Sequence, residues 1–554
     1  MKDSKAIGFI IRNIKPYLWL VVLIALEGAV LSVCGVLLAL ASRWMINLAT
    51  DGGTARDLLK PCLCIAGIII AQVLGRLGGN LLRTAVAGKI TIRLRSQLFA
   101  KLINKDYSQI AEYHSGELLN RCTGDIDHVV SVVTGVFPNT ISLITRFIAA
   151  SAVLISLEPM LALVAVAVGV LMIGASRLYK KRFKQLHKEC QKSEGKTRSL
   201  LQECFEYIIV IKSFMTGDPV KRRLNSLMDD NYKLKMKRTI VSGTSGSAVS
   251  LLFSAGYYMT IAWCSYGIMT GNGMDYGTLL ALVQLIAQLR SPITSMSGLV
   301  PQYYSALASA ERLMELYDMD DEEGVSEKLD VKETYDNMNS IEFRDVTFAY
   351  DTEDVIASGS FSVEKGTITA LVGRSGQGKS TVFRILLGLF RPREGDIVFN
   401  CGEKVVNVNA GTRRMFAYVP QGNMILSGTV RANLEWGAEG ITEEQLAEAA
   451  KAADIYDYIM SLPKGFDTEL GERGQGMSEG QIQRISIARA LLCGAPVLLL
   501  DECTSALDEV TEKKVLTNIK NLKTKTVLII THGKAALDIC DGTILLENGK
   551  FRNK

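Results

Sequence analysis

The residues best suited to chemistry lie in the final third of the chain. Gly373-Arg374-Ser375-Gly376-Gln377-Gly378-Lys379-Ser380-Thr381 has the spacing G-x-x-x-x-G-K-S, after the apolar run Ala370-Leu371-Val372 and before a helical Val382-Phe383-Arg384-Ile385-Leu386-Leu387. A buried strand, a glycine-rich loop and a helix in that order cradle phosphates. The glycines let backbone N–H groups curl around phosphate oxygens, and the helix N-terminus favours negative charge. Lys379 is expected to reach the β and γ phosphates of a nucleotide and Ser380 to ligate Mg2+. Val497-Leu498-Leu499-Leu500 is a continuous apolar run ending in Asp501 and Glu502, the pattern of a strand buried on both faces. There Asp501 can hold Mg2+ through water, and Glu502 can polarise the attacking water as a general base. A third such run, Val527-Leu528-Ile529-Ile530, ends at Thr531-His532 and brings His532 to the same site as a γ-phosphate contact. These residues describe a phosphate-loop ATPase that uses ATP and Mg2+.

The strands that carry them belong to an α/β domain expected over residues 341–554. Ahead of it the composition changes. The chain is 48% hydrophobic yet 21% charged, which fits only if the apolar residues are concentrated in one part. Residues 17–42 carry a single charge, Glu27, and residues 61–75 none, with Arg76 as the end or an interruption of that second stretch. Residues 147–176 contain only Glu158, and Glu158-Pro159 reads as a tight turn between two spans. Residues 239–274 are uncharged, residues 276–310 contain only Arg290, and Thr270-Gly271-Asn272-Gly273 separates the two. A helix needs about 20 apolar residues to cross the hydrocarbon core, so six spans are expected. The first is too long for a signal-peptide core. The 11 cysteines follow no disulfide or metal spacing and read as reduced thiols. A net charge of +5 on 554 residues argues against a nucleic-acid partner.

Lys and Arg set the orientation. Residues 177–238 hold 17 of them, residues 83–105 are also basic, and the outer turns at 157–159 and 269–275 have none. Both long basic segments and both termini are therefore expected in the cytoplasm, in what reads as a bacterial plasma membrane. The basic segments are long enough to carry the membrane helices well beyond the bilayer, and Ile90, Leu94, Leu98 and Leu102 keep helical spacing through the first. Ile7, Ile10, Ile11 and Ile14 among basic residues suggest a short helix on the inner surface. The acidic stretch 318–323 reads as a solvated linker within residues 313–340, which follow a membrane domain over residues 1–312.

The run Gly476-Met477-Ser478-Glu479-Gly480-Gln481-Ile482-Gln483-Arg484 resembles the signature motif of ATP-binding-cassette (ABC) transporters. Around it the family's other motifs occur in order. Tyr350 resembles the aromatic that stacks on adenine, and Gln421 in Tyr418-Val419-Pro420-Gln421 the Q-loop residue that touches Mg2+ and the membrane domain. Thr468-Glu469-Leu470-Gly471-Glu472-Arg473-Gly474 resembles the X-loop of exporters, Ser505-Ala506-Leu507-Asp508 the D-loop and His532 the switch histidine. In the membrane half, Tyr113-His114-Ser115-Gly116-Glu117 with Asp125-Ile126-Asp127, the region around Glu203 and residues 209–214, and Ser309-Ala310-Glu311-Arg312-Leu313 resemble exporter segments. The resemblance spans the whole chain. It implies an all-α six-helix transmembrane exporter domain followed by an α/β ATPase domain of ABC type, that is, half of a dimeric transporter.

The resemblance also implies the mechanism. ATP would lie between two ATPase domains, one giving Lys379, Ser380, Gln421, Asp501, Glu502 and His532, the other Ser478, Gly480 and Gln481. The partner is a second copy or a close relative, the surroundings are a lipid bilayer, and the substrate is a small, lipid or peptide molecule. An ATP-gated channel and a siderophore importer are the alternatives. Four positions depart from the family pattern: Met477 where leucine is usual, Glu479 where glycine is usual, Cys503 where alanine is usual and Gly533 where arginine is common. Glu479 is expected to weaken the partner's site, and Cys503 to be tolerated but open to inhibitory oxidation. No peptidase domain precedes the first span, so self-contained leader cleavage is not expected. Glu27, Arg146, Gln284, Gln288 and Arg290 are ionisable or polar groups in or near the spans and are candidate pathway residues.

Overall fold

The computed structural model describes residues 2–553 except 272–273, 325–328, 423, 439, 472–473, 475 and 523, and side chains except at 2–3, 164–181, 184, 245, 249, 293, 296–297 and 300. The chain forms two compact units. One contains Met1–Phe99 and Leu118–Leu316, the other Ala100–Glu117 and Tyr317–Lys554.

The first unit is built on helices. A short α1 (Lys2–Ile14) is followed by α2 (Leu18–Thr50) and α3 (Ala55–Leu102). After the short α4 (Tyr107–Ala111), which belongs to the second unit, come α5 (Phe137–Leu157), α6 (Pro159–Glu206), a short α7 (Ile208–Ser213), α8 (Gly217–Met269) and α9 (Tyr276–Tyr317). Six of these are long, as expected. Ser4–Thr50, Ala55–Leu102, Ser115–Leu157 and Gly217–Met269 are, among the described residues, long and apolar enough to cross a membrane. At 1.5 Å per residue, the 48 residues of α3 reach about 72 Å, more than twice the roughly 30 Å hydrocarbon core. The helix itself does not end at Arg76, because α3 runs unbroken past it. A basic side chain at the edge of an apolar stretch does not remove a backbone hydrogen bond, whereas a helix end requires that. Glu158 alone separates α5 from α6. Residues 272–273 of the expected outer turn lie outside the described residues.

Val36, Ala39, Ala150, Leu154, Leu161, Cys264, Leu282 and Leu285 from α2, α5, α6, α8 and α9 form a buried cluster. Leu63, Leu74, Leu81 and Ile148 are exposed, as side chains that meet lipid must be. The extension leading into α5 contains π turns at Arg121–Asp125 and Val132–Val136. They turn buried Asp125 towards α9, where it accepts from Ser309 Oγ at 2.9 Å and Arg312 Nε at 2.8 Å. Arg121 reaches the Arg312 carbonyl and Glu315, each at 2.8 Å. Two segments recognised separately in the sequence thus form one ion-pair network.

The second unit has two main sheets. The strands β1 (Ser340–Ala349), β2 (Asp354–Glu364), β3 (Ile368–Val372), β4 (Glu394–Cys401), β5 (Lys404–Asn407), β6 (Phe416–Val419), β7 (Val497–Asp501), β8 (Thr526–Ile530), β9 (Gly542–Glu547) and β10 (Lys550–Asn553) alternate with helices that include α10 (Lys379–Leu386), α11 (Glu479–Leu492) and α12 (Glu509–Asn521). β2-β1-β4-β5 is antiparallel, and β10-β9-β3-β8-β7-β6 is parallel except for the edge strand β10. In β7 and β8, Leu498, Leu500, Val527 and Ile529 face one core, and Val497, Leu499, Leu528 and Ile530 the other. Burial on both faces explains the unbroken apolar runs. Within the acidic stretch 318–323, Asp318, Asp320, Asp321 and Glu323 are exposed, as expected of a solvated linker, and Glu322 is the exception among the carboxylates. The Glu322 side chain is 7% exposed and makes a two-pronged ion pair with Arg413 at 3.0 Å on each arm. Local charge density marks a polar segment, but whether counter-charges meet it depends on chain from elsewhere.

Candidate nucleotide site

The register of the parallel sheet aligns the functional strand ends. Ile530 lies beside both Asp501 and Leu371, and Val419 beside Leu500. The loops leaving β3, β6, β7 and β8 therefore emerge together, at the carboxyl edge where such sheets bind ligands. Gly378 begins α10 with φ of 91°, and a Cβ there would lie 2.3 Å from Val355 Cγ1, so glycine is required twice over. Lys379 is 5% exposed, and its ammonium donates to the carbonyls of Gly373 at 2.9 Å and Arg374 at 3.0 Å. Gln377 steadies the loop by accepting from the Arg374 N–H at 3.0 Å.

Opposite this loop, Ser380 Oγ donates to Asp501 Oδ1 at 3.1 Å and the Tyr418 hydroxyl to Oδ2 at 3.2 Å. Burial pushes the Asp501 carboxyl above its ordinary range. The two hydroxyls oppose that shift, and the neighbouring Glu502 charge adds to it. Glu502 has a left-handed backbone, φ 47°, held by its N–H to the Ile530 carbonyl at 3.0 Å. Such strain in a non-glycine residue is retained where the surroundings impose it. Gln421 Nε2 donates to Glu502 Oε2 at 2.7 Å, and His532 Nε2 lies 3.6 Å from Oε1, close but beyond a hydrogen bond. Glu502, Gln421 and His532 are thus brought together, as are Lys379, Ser380 and Asp501. The oxygens of Ser380, Asp501 and Gln421 suit Mg2+, a hard cation that prefers oxygen ligands.

Tyr350 is half exposed. Its hydroxyl meets Thr381 Oγ1 at 3.1 Å, and its ring packs edge-on to Phe348 and Phe390. Ser478 caps α11, and Ser478 and Gln481 bond one another reciprocally. Among the described residues neither bonds to the phosphate loop. A Cβ on Gly480 would lie 2.9 Å from the Ala506 carbonyl oxygen, so the start of α11 packs directly on Ser505-Ala506-Leu507-Asp508. Residues 472–473 of the X-loop-like stretch lie outside the described residues.

Two contributors escaped the sequence reading. Tyr418 orients Asp501, and burial together with the Asp501 charge pushes its hydroxyl up, so it remains a donor. The signal available was its place on β6, two residues before Pro420. Gln483, 4% exposed, donates to Ser505 Oγ at 3.3 Å and accepts from the Ala506 N–H at 3.1 Å, tying α11 to the following loop. Gly533 packs against the buried Glu512 carboxylate, which accepts from Thr504 at 2.8 Å. In the membrane unit, Gln288 donates to the Gly35 carbonyl at 2.8 Å and Arg290 to Ser250 at 2.9 Å, so both join neighbouring helices.

A phosphate loop facing two carboxylates, on a chain that also carries long apolar helices, defines an ATPase fused to a membrane domain. The family model for the ABC transporter transmembrane region matches residues 17–293, half of the chain, and a second family model, ABC transporter, matches residues 356–505. The chain belongs to the ABC transporter family. It is 29% identical to an uncharacterized ABC transporter ATP-binding protein, YfiC, of Bacillus subtilis (strain 168), covering 100% of this chain and 92% of that one. It is 28% identical to an ATP-dependent lipid A-core flippase of Haemophilus influenzae over 88% of this chain and 84% of that one. Its fold matches a bacterial Atm1-family ABC exporter solved with ATP bound, with a TM-score of 0.79, 23% identity and coverage of 97% and 94% of the two chains. The protein is thus a membrane ABC transporter that binds ATP and couples its hydrolysis to transport.

Proposed function

We propose that the chain is one half of a dimeric ATP-driven exporter for an amphipathic molecule with an anionic head. The observation that carries the dimer is the division of the nucleotide site. Lys379, Ser380, Gln421, Asp501, Glu502 and His532 converge, while Ser478, Gly480 and Gln481 bond among themselves and to their own following loop. A second copy would bring those residues to the phosphates. The second cytoplasmic tip supports the same reading: Ile209, Phe214 and Met215 are 76%, 75% and 89% exposed, too apolar a surface to remain uncovered. Glu479 favours a heterodimer as the second reading, since a carboxylate at the signature position disfavours phosphates. In this reading residues 1–312 form the membrane domain, 313–340 the linker and 341–554 the ATPase. Both termini are cytoplasmic, in a bacterial plasma membrane.

At the site, Glu502 holds the attacking water and takes its proton, with Gln421 fixing the carboxylate and His532 beside it as the γ-phosphate contact. Lys379, Tyr350 and the loop residues Gly373, Arg374, Ser375, Gly376, Gln377, Gly378 and Thr381 hold and orient the nucleotide. Ser380, Gln421 and Asp501 would hold Mg2+, which supplies charge neutralisation at the phosphates.

The substrate reading rests on two arginines. Arg76 on α3 and Arg146 on α5 make no ion pair or hydrogen bond among the described residues and are near enough to repel. Unpaired cations at membrane depth are costly unless an anion meets them. The lipid A-core flippases among the relatives support a lipid-like substrate. The test is ATP-dependent movement of labelled phosphate-headed and zwitterionic lipids in vesicles of the reconstituted protein. We expect movement of the phosphate-headed lipid, a raised half-saturating concentration in Arg146→Gln, and loss of turnover by roughly a hundredfold or more in Glu502→Gln with ATP binding kept. Equal handling of both lipids would overturn the substrate class. Ion conductance without lipid movement would overturn export.

A further inference from the structure

The first cytoplasmic tip is fastened to the ATP-binding unit by the acidic stretch. Residues 318–323 run antiparallel to the tip: Asp106 N–H donates to the Asp320 carbonyl and Glu322 N–H to the Asn104 carbonyl, both at 2.9 Å. Gln109 and Asp320 exchange two further hydrogen bonds, at 3.0 and 3.2 Å. Lys105, 7% exposed, bonds the Met319 carbonyl and lies 2.8 Å from Asp321 Oδ1. On the other side, Glu322 grips Arg413, Glu323 meets Arg391 at 2.9 Å, and Ala410 N–H donates to the Glu323 carbonyl at 3.2 Å.

Arg413 connects this clasp to the nucleotide site twice. Its Nε donates to the Leu387 carbonyl at 2.9 Å, immediately after the phosphate-loop helix α10. It also stands three residues before β6, the strand that leads to Gln421. In parallel, the Tyr107 ring on α4 packs edge-on to Phe390 at 5.6 Å, and Phe390 packs on Tyr350 at 5.2 Å.

We propose that residues 318–323 are the coupling clasp of this transporter, with Glu322 and Arg413 as positioning residues that tie the first tip to the phosphate-loop helix and to the Q-loop strand. Glu322 is suited to this because one residue holds both partners, its N–H the tip and its carboxylate the ATP-binding fold. The Glu322 side chain is 7% exposed and that of Arg413 34%, so the pair is screened less than a fully exposed one, and its two-pronged contact fixes its geometry. A contiguous chain of this kind transmits movement only if both ends change together. The proposal rests on ATP hydrolysis being tied to transport, and the test separates the two.

The full-length protein in nanodiscs is compared as wild type, Glu322→Gln, Arg413→Glu and the exchanged pair Glu322→Arg with Arg413→Glu. Amide exchange of residues 104–111 is measured with and without a non-hydrolysable ATP analogue, which needs no transported substrate. The analogue is expected to protect these residues in the wild type. The protection should be lost in each single variant and regained in the exchanged pair, while basal ATPase stays within about threefold and the excess over basal turnover in the presence of lipid falls about fivefold or more. Undiminished protection in both single variants would overturn the clasp. So would a parallel loss of basal ATPase and protection that the exchange does not restore, which would make the pair a support of the fold alone. Absence of lipid-stimulated turnover in the wild type, with the protection pattern intact, would instead count against the substrate reading.

Discussion

Cys503 follows Glu502 directly and was expected to offer a route to oxidative inhibition. The structure places its side chain at 1% exposure, and burial pushes the thiol up to about 12. The thiolate is the reactive species, so at pH 8 only roughly one molecule in ten thousand carries it. Mass spectrometry after N-ethylmaleimide treatment should find Cys503 intact in the folded protein and modified once the chain is unfolded in denaturant. Modification of Cys503 at similar rates in both states would contradict its burial. The same scale explains Glu502: the left-handed turn at the end of β7 lifts its carboxylate away from the strand and towards Gln421 and His532.

At the scale of elements, α11 and the loop after β7 behave as one piece. Gly480 admits the Ala506 carbonyl, and Gln483 bonds Ser505 and Ala506. A branched side chain at Gly480 must push the two apart, at a cost of about 1–3 kcal/mol. Gly480→Val is therefore expected to lower ATP turnover by about tenfold or more while leaving the equilibrium binding of a fluorescent ATP analogue to the phosphate loop unchanged. Loss of analogue binding in step with turnover would show that the damage is not confined to this contact. The long helices follow a similar logic. Their membrane portions are recognisable by apolar length, but the extension before α5 is shaped by π turns that carry Asp125 and Arg121 to α9.

At the scale of the molecule, the clearest expectation concerns assembly. If the signature residues act on a neighbouring copy's nucleotide, specific ATPase activity in dilute detergent must rise with protein concentration until dimers saturate. Activity per chain that stays constant down to concentrations where sizing shows monomer only would refute the shared site. The composition of the two units points the same way. The tip at Ala100–Glu117 belongs with the ATP-binding unit, whereas the apolar tip around Ile209 and Phe214 remains exposed.

The sequence alone determined whatever depends on near neighbours along the chain. Apolar runs marked β3, β7 and β8, glycine spacing marked the phosphate loop, and runs of about 20 uncharged residues marked spans. Lys379, Ser380, Asp501, Glu502 and His532 were legible because each sits at the end of such an element. Tertiary structure alone decided which side chains meet across the chain: Gln421 with Glu502, Tyr418 with Asp501, Asp125 with Arg312 and Glu322 with Arg413. An acidic run reads the same whether water or arginine faces it, and only the returning chain supplies the arginine. That is why a segment expected to be a solvated linker, and exposed at most of its carboxylates, also carries one sheltered glutamate paired with arginine.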